Sequence, residues 1–363
     1  MLKTALKLLQ KLEKNGYEAY IVGGYVRDYI LKIKSTDIDI TTNATPMEVK
    51  KIFKDKCLPN IEYGSVRVII RNINFDITTY RKEYKYLNNR SPETIVYINK
   101  LEEDLKRRDF LMNTLCMDSS GRIIDLMGGI KSIEDKTIDT VGDSYKKFQE
   151  DALRILRAIR FATVLNFNLK DNVKDAIIKT KKYLKNISYE RKRQELDRIF
   201  SSSNAKYGIK LITDLELDKE LEIYNLKNII LCNDILGIYT TLELSDKYPF
   251  TSNEKQIIKK VKEAVKCDNL DNYTLYKYGL YVNSIAAELK GISKKKVIEQ
   301  FNNLPISNKS DIDINGKIIM DLLNKDGGLY IKEIYMDLEK QILYGTLNNN
   351  KNDLIKYIIE KYK

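Results

Sequence analysis

The sequence predicts an α+β protein, with an N-terminal unit of strands and short helices around a mixed sheet and helices from there to the end. Three observations carry that expectation. Asp37-Ile38-Asp39-Ile40 alternates acid with isoleucine, the period of a strand that buries one face. Residues 17–80 break into pieces of strand and short-helix length. From about Val141, apolar residues recur at helical spacing, interrupted only near 201–204, 248–253 and 302–310. At 363 residues the chain is too long for one ordinary core, so two or more packed units are expected.

Leu2, Ala5, Leu8, Leu9 and Leu12 share one face of an opening helix, which Gly16 stops. Residues 17–22 read as a strand, 25–31 as a helix and 37–40 as a strand. Thr45-Pro46 opens a helix running to about Asp55, since proline is tolerated in a first turn. Residues 65–71 and 74–80 form two strands about an Arg71-Asn72 turn. Residues 81–94, polar and carrying Asn88-Asn89 and Ser91-Pro92, read as a mobile loop. A closing strand spans 121–125, and Gly128-Gly129 ends the unit.

The strand at 37–40 puts Asp37 and Asp39 on one face, roughly 6.5–7 Å apart, with Ile38 and Ile40 on the other. Two carboxylates so placed repel unless a cation sits between them, and Mg²⁺ takes one or two carboxylates plus phosphate oxygens and water. Just upstream, Gly23-Gly24 lets backbone approach a phosphate, and Arg27 offers a forked phosphate donor. The stretch reads as a metal-nucleotide site. Asp76-Ile77-Thr78-Thr79 echoes Asp39-Ile40-Thr41-Thr42 and brings either a third acid or a solvated turn residue.

Arg107-Arg108-Asp109-Phe110, with Asn113, supplies guanidinium for phosphate and carboxylate for ribose hydroxyls, or only a surface ion pair. In Glu150-Asp151-Ala152-Leu153-Arg154, continued through Arg157 and Arg160, helical spacing stacks Asp151, Arg154 and Arg157 on one face. Asp only accepts and Arg only donates, so the Asp151–Arg154 pair matches a cytosine or adenine edge and mismatches uracil or guanine.

A net charge of +12 suits a polyanionic partner or a merely solvated surface. The segment 170–200, where basic residues outnumber acids two to one, offers such a face for RNA. Histidine is absent, which excludes histidine bases, histidine metal ligands and triads built on them. The four cysteines, Cys57, Cys116, Cys232 and Cys267, lack paired spacing and suggest a reducing cytoplasm. Neither a membrane-length apolar run nor a secretory leader is visible.

Taken in order, Gly23-Gly24-Tyr25-Val26-Arg27-Asp28, Asp37-Ile38-Asp39, Arg107-Arg108-Asp109-Phe110 with Asn113, Glu150-Asp151-x-x-Arg154-x-x-Arg157 and Ser188-Tyr189-Glu190-Arg191 resemble the bacterial class II tRNA nucleotidyltransferases. These are the CCA-adding enzymes and their poly(A) polymerase relatives. The resemblance implies a polymerase-β-like nucleotidyltransferase head at 1–137, then an all-α neck at 138–202, body at 203–290 and tRNA-binding tail at 291–363. It implies that Asp37 and Asp39 are catalytic and hold Mg²⁺, and that Gly24 and Arg27 contact the triphosphate. Arg108 and Asp109 would hold triphosphate or ribose, Asp151 and Arg154 would read the base, and Arg157 and Arg160 would complete the nucleotide pocket.

The implied reaction adds C, C and A to the tRNA 3′ end from CTP and ATP, with the acceptor arm as the binding partner and the cytoplasm as the compartment. The sequence leaves oligomeric state open. The pattern departs from the family at Lys32, where relatives carry glycine, and at Leu111 and Thr114. Poly(A) polymerase and an A-adding enzyme are the nearest alternatives, and a non-catalytic RNA-binding module is a third. The segment 62–66 followed by Asp76-Ile77-Thr78-Thr79, and the full length of 81–90, favour complete CCA addition.

Overall fold

A computed structural model describes residues 1–62, 64–87 and 91–363, apart from the side chains of 59–62, 85–87 and 91–93. The chain forms two compact units, 1–226 with 244–249, and 227–243 with 250–363.

The first unit opens with α1 (Leu2–Glu13), which buries Ala5, Leu8, Leu9 and Leu12. Next come β1 (Ala19–Val22), α2 (Gly24–Ile30), β2 (Asp39–Thr42) and α3 (Pro46–Phe53). Thr45 and Glu48 close a capping box at the start of α3, satisfying donors that a helix N-terminus leaves free. Strands β3 (Cys57–Glu62), β4 (Ser65–Ile70) and β5 (Ile73–Thr79) follow. Arg71 and Asn72 both take positive φ, at 53° and 61°, so β4 and β5 are joined by the two-residue turn whose twist suits a hairpin.

With β8 (Cys116–Met117) and β9 (Ile123–Ile124), which follow below, the strands order as β3-β4-β5-β2-β1-β8-β9. Only β2 and β5 run parallel within it; the sheet is mixed, as expected. The parallel ladder pairs Asp39 with Asp76, Ile40 with Ile77, Thr41 with Thr78 and Thr42 with Thr79, so the repeated Asp-Ile-Thr-Thr lies in register.

Two expectations need correction. The strand predicted over 37–40 begins at Asp39, because β1 ends at Val22 opposite Asp39 and Gly23 turns the chain away. Asp37 and Ile38 therefore have no β1 partner, although Ile38 and Ile40 are both buried. The loop predicted over 81–94 is instead an antiparallel pair, β6 (Arg81–Leu87) with β7 (Ser91–Tyr97). Tyr84, Thr94, Ile95 and Val96 supply the β-branched and aromatic residues that favour strands, and the charged residues between them obscured the pattern. Asn88, Asn89 and Arg90, the tip of the predicted loop, lie outside the described residues, as does Tyr63.

Helix α4 (Leu101–Lys106) leads through residues 107–114 to β8 and β9, the latter shorter than the strand predicted over 121–125. Next stand α5 (Gly129–Glu134), α6 (Ser144–Glu150), α7 (Leu153–Leu165), α8 (Asp171–Thr180), α9 (Tyr189–Phe200), α10 (Ala205–Asp214) and α11 (Asp218–Leu221). Helix α7 is buried almost all round, including Arg154 and Arg160. Such a helix is a core element, and its arginines need partners within the protein.

The second unit is helical: α12 (Ile235–Thr240), α13 (Ser252–Ala264), α14 (Asn272–Leu289), α15 (Lys294–Asn302), α16 (Gly316–Leu323), α17 (Leu329–Leu343) and α18 (Lys351–Tyr362). Ile319, Ile334, Leu338, Leu354 and Ile358 centre its largest apolar cluster.

Candidate active site

Gly23 closes β1 at φ +80°, and a Cβ there would come within 3.2 Å of the Arg108 guanidinium. The backbone angle favours glycine here, and a Cβ would also press on that guanidinium. Helix α2 then ends in paired backbone bonds, Ile33 N to Asp28 O and Lys32 N to Tyr29 O, with Lys32 at φ +57°. This is the reversal that favours glycine, so the turn survives the departure at Lys32 with a lysine held in a left-handed conformation.

Past that turn, Asp37 and Asp39 reach one cavity of about 840 Å³. No hydrogen bond or ion pair within the described residues holds either carboxylate. Partial burial raises the pKa of Asp39; Arg108 opposes the shift, and the charges of Asp76 and Asp37 add to it. An acid pair that cannot comfortably carry both charges fits a divalent cation, and Mg²⁺ needs no more than two carboxylates when phosphates complete its shell. Asp76 faces the same row, but its carboxylate is clasped by Arg67 at 2.7 and 2.9 Å. Among the described residues no three acids, cysteines or histidines gather into a metal cluster.

The opposite wall is a connected polar chain. Arg27 donates through Nε and Nη2 to Asp28 at 2.8 and 2.6 Å and through Nη1 to Asn113 Oδ1 at 2.7 Å. Asn113 Nδ2 donates to Asp109 Oδ1 at 3.1 Å, and Arg157 donates twice to Asp109 Oδ2, at 2.8 and 2.6 Å. Burial pushes the Asp109 carboxyl up, but the Arg157 charge and the bonds from Asn113, Arg157 and Phe110 outweigh it and hold Asp109 well below the usual range. Burial would also discharge Arg157, and Asp109 overrides it, so the pair stays ionised.

Arg108 lines the cavity with a buried Nε that has no hydrogen-bond partner. Burial and neighbouring Arg107 disfavour its charge, with Asp104 opposing them. An orphaned guanidinium donor beside a glycine turn is suited to a phosphate oxygen. Arg160 makes a 3.2 Å contact with Glu195, and burial draws its pKa down to about 10 despite that partner. The guanidinium carbons of Arg27, Arg157 and Arg160 lie 5.0, 5.4 and 4.2 Å from the Phe161 ring centre.

The predicted site residues thus divide. Gly24, Arg27, Asp37, Asp39, Arg108, Asp109, Arg157 and Arg160 line one cavity; Asp151 and Arg154 are not among its lining. The expected helix face carrying Asp151 does not form, because Asp151 is the extended residue ending α6 and lies before α7 starts. Its carboxylate accepts from Leu153 N and Arg191. Arg154 donates to Glu150 at 2.6 Å and to the carbonyls of Lys147 and Arg107. It fastens α7 to the turn that carries Arg108 and Asp109.

Lys34, Arg198, Phe161 and Ser201–Ser203 also line the cavity, and the sequence reading assigned them no role there. The sequence reading put Arg198 in the basic segment 170–200 and the serines in an interruption near 201–204, without bringing either to this cavity.

Known proteins resemble the chain over nearly its whole length. Residues 19–139 match the model of the poly A polymerase head domain, 166–221 that of the RNA and SrmB-binding site of polymerase A, and 234–358 that of tRNA nucleotidyltransferase domain 2. The chain is 34% identical to the CCA-adding enzyme of Geobacillus sp. strain WCH70, covering 98% of this chain and 96% of that one. It is 31% identical to the Bacillus subtilis CCA-adding enzyme, covering 98% and 97%. Its structure superposes on the Bacillus stearothermophilus CCA-adding enzyme in complex with CTP at a TM-score of 0.87, with 27% identity over 98% of this chain and 96% of that one.

Proposed function

The chain belongs to the family of CCA-adding enzymes, and from that premise we propose that it adds C, C and A to the 3′ end of tRNA, using CTP and ATP. The 3′-hydroxyl oxygen of the RNA bonds to the α-phosphorus, the bond from that phosphorus to the β-phosphate oxygen breaks, and pyrophosphate leaves. The observation that carries this reading is the meeting of Asp37 and Asp39 with Arg27, Arg108 and Arg157 in one cavity. That volume lies within the range of small-molecule sites.

Asp37 and Asp39 are the residues that would hold Mg²⁺. A pair of such ions supplies charge stabilisation for the attacking and leaving oxygens. Arg108 offers its unpartnered Nε to the triphosphate, and the tight turn at Gly23 leaves room for that approach. Arg157, fixed by Asp109, keeps α7 at the cavity, while Phe161 gives an apolar surface against which a nucleotide ring packs. Selection of the base by Asp151 and Arg154 requires Arg154 to exchange Glu150 for the base edge. Arg154 stands three residues before Arg157 on α7, and Asp151 lies ahead of that helix.

Four parts accompany this reading: a head at 1–137, a neck at 138–202, a body at 203–290 and a tail at 291–363 that meets tRNA. It places the protein in the cytoplasm, where the four free cysteines stay reduced. No helix among the described residues is long and apolar enough to cross a membrane.

The deciding experiment offers tRNA lacking its last three nucleotides, and in parallel tRNA ending in CC, to each nucleotide singly and then to CTP with ATP. The expected product is the tRNA extended by C, C and A. A homopolymer of A indicates a polyadenylating enzyme, addition of A only to a CC-ended tRNA indicates an A-adding enzyme, and no extension indicates a binding module. In the same assay, Asp151→Ala and Arg154→Ala relax rejection of UTP and GTP; unchanged selectivity refutes their role.

A further inference from the structure

Helix α14 is two helical segments joined at Gly279, whose φ of 75° and ψ of 169° lie outside any helix. That conformation is essentially open to glycine alone, because a side chain would crowd its own peptide groups. A Cβ on Gly279 would meet nothing else within 4 Å, so the backbone angle, not packing, selects the residue.

The two segments serve different cores. Before the break, Tyr273 and Tyr276 pack on the apolar cluster of α16, α17 and α18. Tyr276 Oη donates to Glu339 Oε1 at 3.0 Å, and Asn272 Nδ2 donates to the Leu343 carbonyl at 3.0 Å. After the break, Val282, Ile285 and Ala286 pack on Val261 and Ala264 of α13, and Tyr281 Oη donates to Asp234 Oδ2 at 2.7 Å. The division of this unit therefore falls inside α14, ahead of the tail start expected at 291.

The corner is braced. Asn283, fully buried, donates through Nδ2 to the Thr274 carbonyl at 3.1 Å and to the Gly279 carbonyl at 2.8 Å. Its Oδ1 accepts at 3.1 Å from Nδ2 of Asn269, also fully buried, which donates as well to the Ala264 carbonyl at 3.0 Å. Two buried amides thus tie the first segment, the break and the end of α13 together. Leu275 and Ala287, one from each segment, close on Val297 of α15. A buried amide network stiffens what it spans, since movement would strand its polar groups.

We propose that Gly279 and Asn283 form a locked elbow that sets the direction of α16–α18 and thereby fits the enzyme to a whole tRNA rather than to its acceptor end alone. The fit to tRNA rests on the tail contact given above; the elbow does not. Asn283 is a positioning residue: two contacts on one RNA add their affinities only when the geometry lets both form together.

Spin labels at Lys260→Cys on α13 and Lys356→Cys on α18, in the full chain with Cys57, Cys232 and Cys267 replaced by serine, read the elbow by double electron–electron resonance. The parent protein should give one narrow distance. Gly279→Ala, which drives residue 279 toward helical angles, should shift that distance, and Asn283→Ser should broaden it. Without labels, both variants should raise KM for tRNA lacking its last three nucleotides about tenfold or more. Their kcat, and their KM for a short acceptor-stem RNA, should match wild type. Asn283→Ser decides alone if Gly279→Ala does not fold. Distances like those of the parent, or equal losses on tRNA and the short RNA, would overturn the proposal. Wild type that extends both RNAs with one KM would instead refute the tail contact, and wild type that extends neither would refute the polymerising function; the distances then decide the elbow by themselves.

Discussion

The two walls of the main cavity are charged in opposite ways and finished to different degrees. On the strand side, Asp37 and Asp39 have no partner among the described residues, and Asp39 is pushed toward its neutral form. On the helix side, Arg157 is locked to Asp109 and Arg160 leans on Glu195. A buried arginine must find its counter-charge in the protein or destabilise the fold. A pair of accessible carboxylates can wait for a counter-charge that arrives with the substrate. The helix wall is therefore structure that also meets ligand, whereas the strand wall is unfinished until a cation comes.

Substitutions should separate the walls. Asp39→Ala is expected to cut nucleotide incorporation by about 10³-fold or more while leaving the thermal midpoint almost unmoved. A large drop in midpoint would mean that the acid has a structural partner after all. Asp109→Asn should do the reverse first, costing about 3–5 kcal/mol in urea unfolding because it strands Arg157. The Asp109 carboxyl is depressed in the fold, so its stabilisation is complete above the unfolded value near 4 and is lost as pH falls below it. An acid limb of the stability curve that Asp109→Asn fails to flatten contradicts the pairing.

A smaller effect belongs to Lys147, whose Nζ donates to the Lys106 carbonyl. Burial, helped by Arg154 and opposed by Glu150, Asp109 and Glu83, brings its pKa down to about 8. The unfolded chain then binds the extra proton between pH 8 and the free-lysine value near 10.4, so stability rises with pH across that window. Lys147→Met should remove this rise, and an unaltered slope refutes the assignment. Least of all, Lys32→Gly relieves a left-handed lysine and should stabilise by no more than about 1 kcal/mol; a loss of stability would show that the lysine side chain itself matters.

How much of this was legible in the sequence follows the same division. The strand wall was readable because acid, isoleucine and glycine each answer to a local rule, and only the strand's start was misplaced, two residues early, for want of a β1 partner beyond Val22. Residues 107–109 and 154–160 were readable as charged motifs, but their bonding was not. That Arg154 would turn to the carbonyls of Lys147 and Arg107 depends on how α6, α7 and the 107–114 segment meet, which no spacing encodes. The break at Asp151 was invisible for a related reason, since its neighbours keep helical periodicity on both sides. The β6–β7 pair was hidden by charge: its alternation is filled with lysine, glutamate and arginine.

The most direct measurement is a titration of Mn²⁺, followed by electron paramagnetic resonance, on wild type and Asp39→Asn with a non-reacting CTP analogue bound. Wild type should take up the ion tightly, and the variant at least tenfold more weakly, with nucleotide affinity measured in EDTA the same for both. Equal uptake by the two proteins would contradict the claim that this wall is completed by a cation.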